Sequence, residues 1–220
     1  MREIFELQDG LNEYIFRKRN LLPWPVVRDN PELNTGWIFN FRNALSAEVC
    51  ELYESAMAGD LDNAKIELID ILHFLVSLSL IVGVGYRSAE KCLQETMIRS
   101  YDENVVHLFL ALDRLQGAVH WKWWSDSSVR YYPMRAKLAV RDLWARWWNF
   151  ACHLYMSPEQ IKEIYMAKNK VNYERQINGY SVETKTENDN KAIIAGMSKS
   201  QERRLAIQTG RPIETVEAIQ

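Results

Sequence analysis

The segment KIELIDILHFLVSLSLIVGVG, residues 65–85, is apolar on almost every helical face yet carries Glu67 and Asp70 three residues apart. A helix this uniformly apolar belongs in the middle of a fold, with neighbours on all sides. Leaving an unpaired carboxylate in such surroundings costs several kcal/mol or more, roughly, so the two acids require a proton, a cationic partner or a metal ion. The rest of the chain must supply the reason for them. Asp70 and His73 also interrupt the apolar run, which falls short of the roughly 20 residues that a bilayer span needs. No membrane association is expected.

Apolar positions at i, i+3, i+4 and i+7 recur throughout, and alternation of period two is scarce, so the chain reads as all-α. Helices are expected over about 3–19, 38–58, 61–82, 88–99, 102–120 and 134–155. The stretch NLLPWPVVRDNPELNTGW, residues 20–37, holds three of the six prolines and reads as a loop. The start at MSPEQ is the clearest in the sequence: Ser157 can cap, Pro158 fits the first helical position, and Gln160 completes a capping box. Gly179 is expected to end that helix about six turns later. Residues 181–196 read as a polar loop, and about 198–218 as a weakly amphipathic tail.

The 220 residues are 47% hydrophobic and 25% charged, enough for a sizeable core. The formal net charge of -2 argues against binding along a phosphate backbone, so no nucleic-acid partner is expected. Cys50, Cys92 and Cys152 are far apart in apolar helical patterns and read as reduced core thiols, which points to a cytoplasmic location. The amino-terminal pattern lacks the charged, apolar and small-residue succession of a signal peptide.

SAEVCELYES presents Glu48 and Glu51 at i, i+3, and the next helix presents Glu67 and Asp70 at the same spacing. Such a pair projects from one face, and the short connection makes the two helices antiparallel neighbours. Four carboxylates in one crevice repel each other unless cations sit among them, and an all-oxygen set suits Mg²⁺ or Mn²⁺. The plainer alternative is a solvated pair on the first helix and a Glu67 paired with Lys65 or an arginine. A di-iron bundle needs two acid-x-x-His pairs, and only Asp70–His73 has that spacing. His73 is therefore expected to be a core histidine with one hydrogen bond.

On the capped helix, Tyr165, Lys168, Asn172 and Arg175 follow at i, i+3, i+7 and i+10, a stripe of donors suited to an anion. Arginine offers phosphate a planar fork and lysine a point charge. A solvated face is the alternative for the stripe alone, but carboxylates with metal and cationic donors are two halves of a nucleotide-phosphate site.

Five ordered blocks, LQDGLNEY at 7–14, SAEVCELYES at 46–55, KIELIDILHF at 65–74, YMAKNKVNYERQINGY at 165–180 and TENDNKAI at 186–193, resemble the dimeric all-α dUTP pyrophosphatases. These are related to phage dCTP pyrophosphatases and to the wider all-α nucleoside triphosphate pyrophosphohydrolases. The resemblance implies a helical bundle over 1–195, with 86–156 as a Trp-rich helical insertion, followed by a tail at 196–220. It implies Mg²⁺, with Mn²⁺ as a substitute, on Glu48, Glu51, Glu67 and Asp70, one of the first two also activating the attacking water. Gln8 and Asn12 would hold the base and sugar. Lys168, Asn172, Arg175 and Tyr180 would contact the nucleotide and its phosphates, and Asp189 and Asn190 would belong to a segment closing over the site.

The function implied is Mg-dependent hydrolysis of dUTP to dUMP and pyrophosphate by a homodimer. Hydrolysis of dCTP by the same mechanism remains open, because a base pocket separates uracil from cytosine by one or two hydrogen bonds. A non-enzymatic helical protein that uses the Trp-rich surface for a partner is a further alternative, and a small DNA-binding appendage in 198–218 is a weaker one.

Overall fold

The computed structural model describes residues 1–94, 99–122, 124–126, 131–179 and 190–196. Among these residues the chain is helical, with no strand beyond one bridge between Val119 and Tyr131. The helices are α1 (Arg2–Lys18), α2 (Trp24–Asp29), α3 (Pro31–Met57), α4 (Leu61–Val82), α5 (Tyr86–Gln94), α6 (Tyr101–Gln116), α7 (Pro133–His153) and α8 (Pro158–Asn178). Met1–Tyr180 forms one compact unit and Ser181–Gln220 a second, in which 190–196 is helical rather than loop-like. The 198–218 tail lies outside the described residues.

The helix most apolar in sequence is the one at the centre. α4 packs against α1, α2, α3, α7 and α8, and buries side chains around its whole circumference. Its ends match the sequence reading, because each carries its own signal. Asp60 accepts a hydrogen bond from the Asn63 N–H at 3.0 Å, and Gly83 takes φ 73°, which a glycine adopts without a Cβ penalty. The turn between Met57 and Leu61 folds α4 back along α3.

Of the expected loop over 20–37, only residues 20–23 and Asn30 lie outside helices; the rest is α2 and the first turns of α3. Pro25 and Pro31 stand in first turns, where a missing N–H costs no hydrogen bond, and Asn30 caps α3 through the Glu32 N–H at 2.9 Å. Tertiary packing holds this region: Trp24 is buried, with Phe16 at 5.0 Å and Phe41 at 6.3 Å between ring centroids. Asp9 of α1 accepts from Trp24 Nε1 at 2.6 Å and pairs with Arg28 at 2.9 Å, which ties α1 to α2.

The tryptophans divide by segment. Trp144 and Trp147 of α7 are fully buried; Trp144 Nε1 donates to Ser79 Oγ and Trp147 Nε1 to the Leu68 carbonyl, both at 2.9 Å. Trp121 and Trp124 are exposed. Among the cysteines, Cys92 is buried and Cys152 half-buried, but Cys50 is exposed on α3 and is not a core thiol.

α8 carries the full capping box: Ser157 Oγ accepts from the Gln160 N–H at 3.2 Å, and Gln160 Oε1 accepts from the Ser157 N–H at 3.0 Å. Ser157→Ala is expected to lower unfolding stability by about 1 kcal/mol, read as an earlier urea midpoint at unchanged slope.

Candidate active site

The acids of α3 and α4 converge as their spacing predicts, with one difference. Carboxylate oxygens of Glu48, Glu67 and Asp70 lie within 4.8 Å of one another, whereas Glu51 stands one turn away and exposed, outside that cluster. Glu67 is the deepest, at 5% exposure; its Oε1 accepts from Asn63 Nδ2 at 3.1 Å, and that amide also donates to Ser55 Oγ at 2.9 Å. Glu48 and Asp70 are half-buried.

The donor stripe of α8 meets this cluster at Lys168. Its side chain is 3% exposed and its Nζ lies 2.7 Å from Asp70 Oδ2. A buried lysine persists when an opposite charge faces it, and this pair joins the carboxylate helix to the cationic helix. Asn172 and Arg175 continue along α8, both half-buried. Tyr180 and Asp189 lie outside the described residues, and Asn190 begins the helical stretch of the second unit.

One turn beyond Asp70, a second polar group fills the space between α1, α4 and α8. His73 Nδ1 and the Tyr165 hydroxyl each lie 2.7 Å from Gln8 Oε1. Gln8 Nε2 donates to Asn12 Oδ1 at 2.9 Å, and Asn12 Nδ2 donates to Ser77 Oγ at 3.1 Å. The His73 and Tyr165 rings stack with centroids 4.3 Å apart. All five side chains are buried. His73 is the core histidine the sequence suggests, and Gln8 and Asn12, one turn apart on α1, are hydrogen-bonded to each other. Motif spacing alone does not assign these contacts to Asn63, to Ser77 or to the link from Tyr165 to α1. Their signal was positional: Asn63 precedes Glu67 by one turn, and Ser77 follows His73 by one turn.

A sequence model of the family described as dUTPase matches residues 1–180, a span that includes 86–156. The chain belongs to the all-α dUTPase family. No curated protein and no solved structure shows a significant match to it. The dUTPase is thus a nucleoside triphosphate pyrophosphohydrolase that acts on dUTP, in a family that generally uses a divalent metal. Among the described residues no helix is long and apolar enough to cross a membrane.

The residues present fit a divalent cation. Three carboxylates face one another, the donors are all hard oxygens, and Lys168 offers them a single positive charge. Glu48, Glu67 and Asp70 are the side chains that would hold the ion.

In this dUTPase, burial pulls the His73 imidazole from 6.5 down to about 3, and the Lys168 charge acts in the same direction. The ring is neutral at physiological pH. Between pH 6.5 and 3 the unfolded chain binds a proton here that the native state refuses, so stability falls as pH falls through that window. The slope contributed is at most about 1.4 kcal/mol per pH unit. Urea unfolding at pH 7, 6, 5 and 4 is expected to show a steeper loss for the native sequence than for His73→Gln, which has no group to titrate there.

Proposed function

We propose that this dUTPase hydrolyses dUTP to dUMP and pyrophosphate at the seam between α3, α4 and α8, with Mg²⁺ held by Glu48, Glu67 and Asp70. The reading is carried by the convergence of three carboxylates beside the buried Lys168. Mg²⁺, or Mn²⁺ in its place, supplies Lewis-acid activation of water and neutralisation of triphosphate charge when bound.

The chain's own residues do the rest. Glu48 or Glu51 takes the proton of the attacking water as general base. Glu51, exposed one turn from Glu48, is the fourth carboxylate that the family motif assigns to the metal. Lys168, with Arg175 and Asn172 farther along α8, directs donors at the phosphates and stabilises charge building on the leaving pyrophosphate. Tyr180 belongs with them on the strength of the motif. Gln8 and Asn12 hold the base and sugar, about one helical turn beyond the phosphate end. No covalent intermediate is required.

Two wider proposals accompany this reading. The exposed apolar side chains Val106, Phe109 and Leu110 of α6 and Met134 and Leu138 of α7 support a homodimer. Three cysteines spread over separate helices, with no close pair in the sequence, support action in the reducing cytoplasm.

Incubation with Mg²⁺ and dUTP, dCTP, dTTP or dUDP, followed by phosphorus NMR, tests the reaction. The expected products are dUMP and pyrophosphate from dUTP; a preference for dCTP overturns the base assignment and leaves the chemistry in place. Glu67→Gln and Asp70→Asn are each expected to lower kcat at least about 100-fold and to abolish Mn²⁺ binding in calorimetry. Turnover that survives either substitution removes the carboxylates from the mechanism.

A further inference from the structure

The buried group formed by Gln8, Asn12, His73, Ser77 and Tyr165 has a direction, and that direction fixes what it can offer a ligand. A side-chain amide has an acceptor end and a donor end, which the surrounding hydrogen bonds must assign. Gln8 Oε1 faces both the Tyr165 hydroxyl and His73 Nδ1 at 2.7 Å, so with the oxygen there both partners donate. Gln8 Nε2 then gives one hydrogen to Asn12 Oδ1, and Asn12 Nδ2 gives one to Ser77 Oγ. Ser77 Oγ passes its own hydrogen to the His73 carbonyl at 2.9 Å.

The reverse assignment fails at His73. Turning the Gln8 amide over places an N–H against Nδ1 and moves the imidazole hydrogen to Nε2. Among the described residues that atom is buried without a hydrogen-bond partner, and the Lys168 charge acts on the ring. A bare nitrogen lone pair is favoured by a nearby ammonium, whereas an N–H there is both unpaired and repelled. Burial also keeps the Tyr165 hydroxyl protonated, raising it well above the usual phenol range.

In the favoured direction both lone pairs of the Gln8 oxygen are taken, so Gln8 has only an N–H hydrogen left for a ligand. Resting on the reading that these two side chains meet the base, we propose that His73 and Tyr165 are positioning residues that lock Gln8 as a donor toward the carbonyl of uracil at the place where cytosine carries an amino group. A locked donor pairs with the uracil oxygen and sets two donors against each other when cytosine enters. Release of the lock lets the Gln8 oxygen turn outward and accept from the cytosine amine, so discrimination is lost by rotation of one amide.

Two measurements test this. Nitrogen-15 NMR of the histidine-labelled protein is expected to show His73 as the neutral Nδ1–H tautomer; the Nε2–H tautomer reverses the polarity and overturns the inference. Tyr165→Phe keeps the ring stacked on His73 but removes one donor to Gln8. The kcat/KM ratio of dUTP to dCTP is expected to fall by about tenfold, the factor carried by one net hydrogen bond. An unchanged ratio in a folded Tyr165→Phe protein overturns the positioning role. Gln8→Ala separates the two levels. If it alters base preference while Tyr165→Phe does not, only the lock is wrong. If neither variant alters it, Gln8 does not read the base and the inference falls with that assignment.

Discussion

Burial of polar and charged groups along α4 is the constraint to which the other helices answer. Glu67, Asp70, His73 and Ser77 step along one helix at intervals of three and four residues, so they form a line rather than a ring. Each meets a partner: Glu67 takes Asn63 of α4 itself, Asp70 takes Lys168 of α8, His73 takes Gln8 of α1, and Ser77 takes Asn12. A purely apolar α4 would pack against almost any apolar face. The polar line accepts α1 and α8 only in the rotation and register that satisfy it, because each missed partner leaves a buried group unpaired at a cost of about 1–3 kcal/mol.

The opposite side of α4 carries Ser79 as its buried polar side chain and is otherwise packed by bulk. Trp144 and Trp147 lie fully buried against it, and each places its indole N–H on an α4 oxygen, so the large rings enter without an unsatisfied donor. α1 is held in turn by Asp9, which is adjacent to Gln8 and bonds Trp24 and Arg28 of α2. Neighbouring residues of α1 therefore face two tasks: Gln8 enters the polar line, and Asp9 fastens the helix that carries it. The precision of the site is set by this bracing on both sides of α1.

How far the sequence revealed this depended on whether a signal was local. The ends of α4 and α8 were legible because Asp60, Gly83, Ser157 and Gly179 act on their own backbone. The convergence of Glu48, Glu67 and Asp70 was legible because helical spacing and a short turn dictate it. Residues 20–37 mislead because proline reads as a breaker, whereas Pro25 and Pro31 stand in the first turns of helices that Trp24, Phe16 and Phe41 hold in place. Glu51 shared the spacing of Glu48 but stands exposed, since spacing gives a face and not a depth. The bond from Tyr165 to Gln8 crosses 157 positions, and no local pattern announces it.

Lys168 gives the polar line a property that neither half has alone. Its ammonium lies against Asp70 and its charge also acts on the buried His73 ring. On the proposed reading the first contact belongs to the phosphate end and the second to the base end. Burial, reinforced by the same charge that balances a carboxylate, keeps the imidazole neutral and its inner nitrogen bare, and so holds the direction of the hydrogen bonds through Gln8 and Asn12. Base reading and phosphate handling are then coupled through one buried cation on α8. A change of charge at Asp70 alters not only what the cluster can hold but also how firmly Gln8 is kept as a donor.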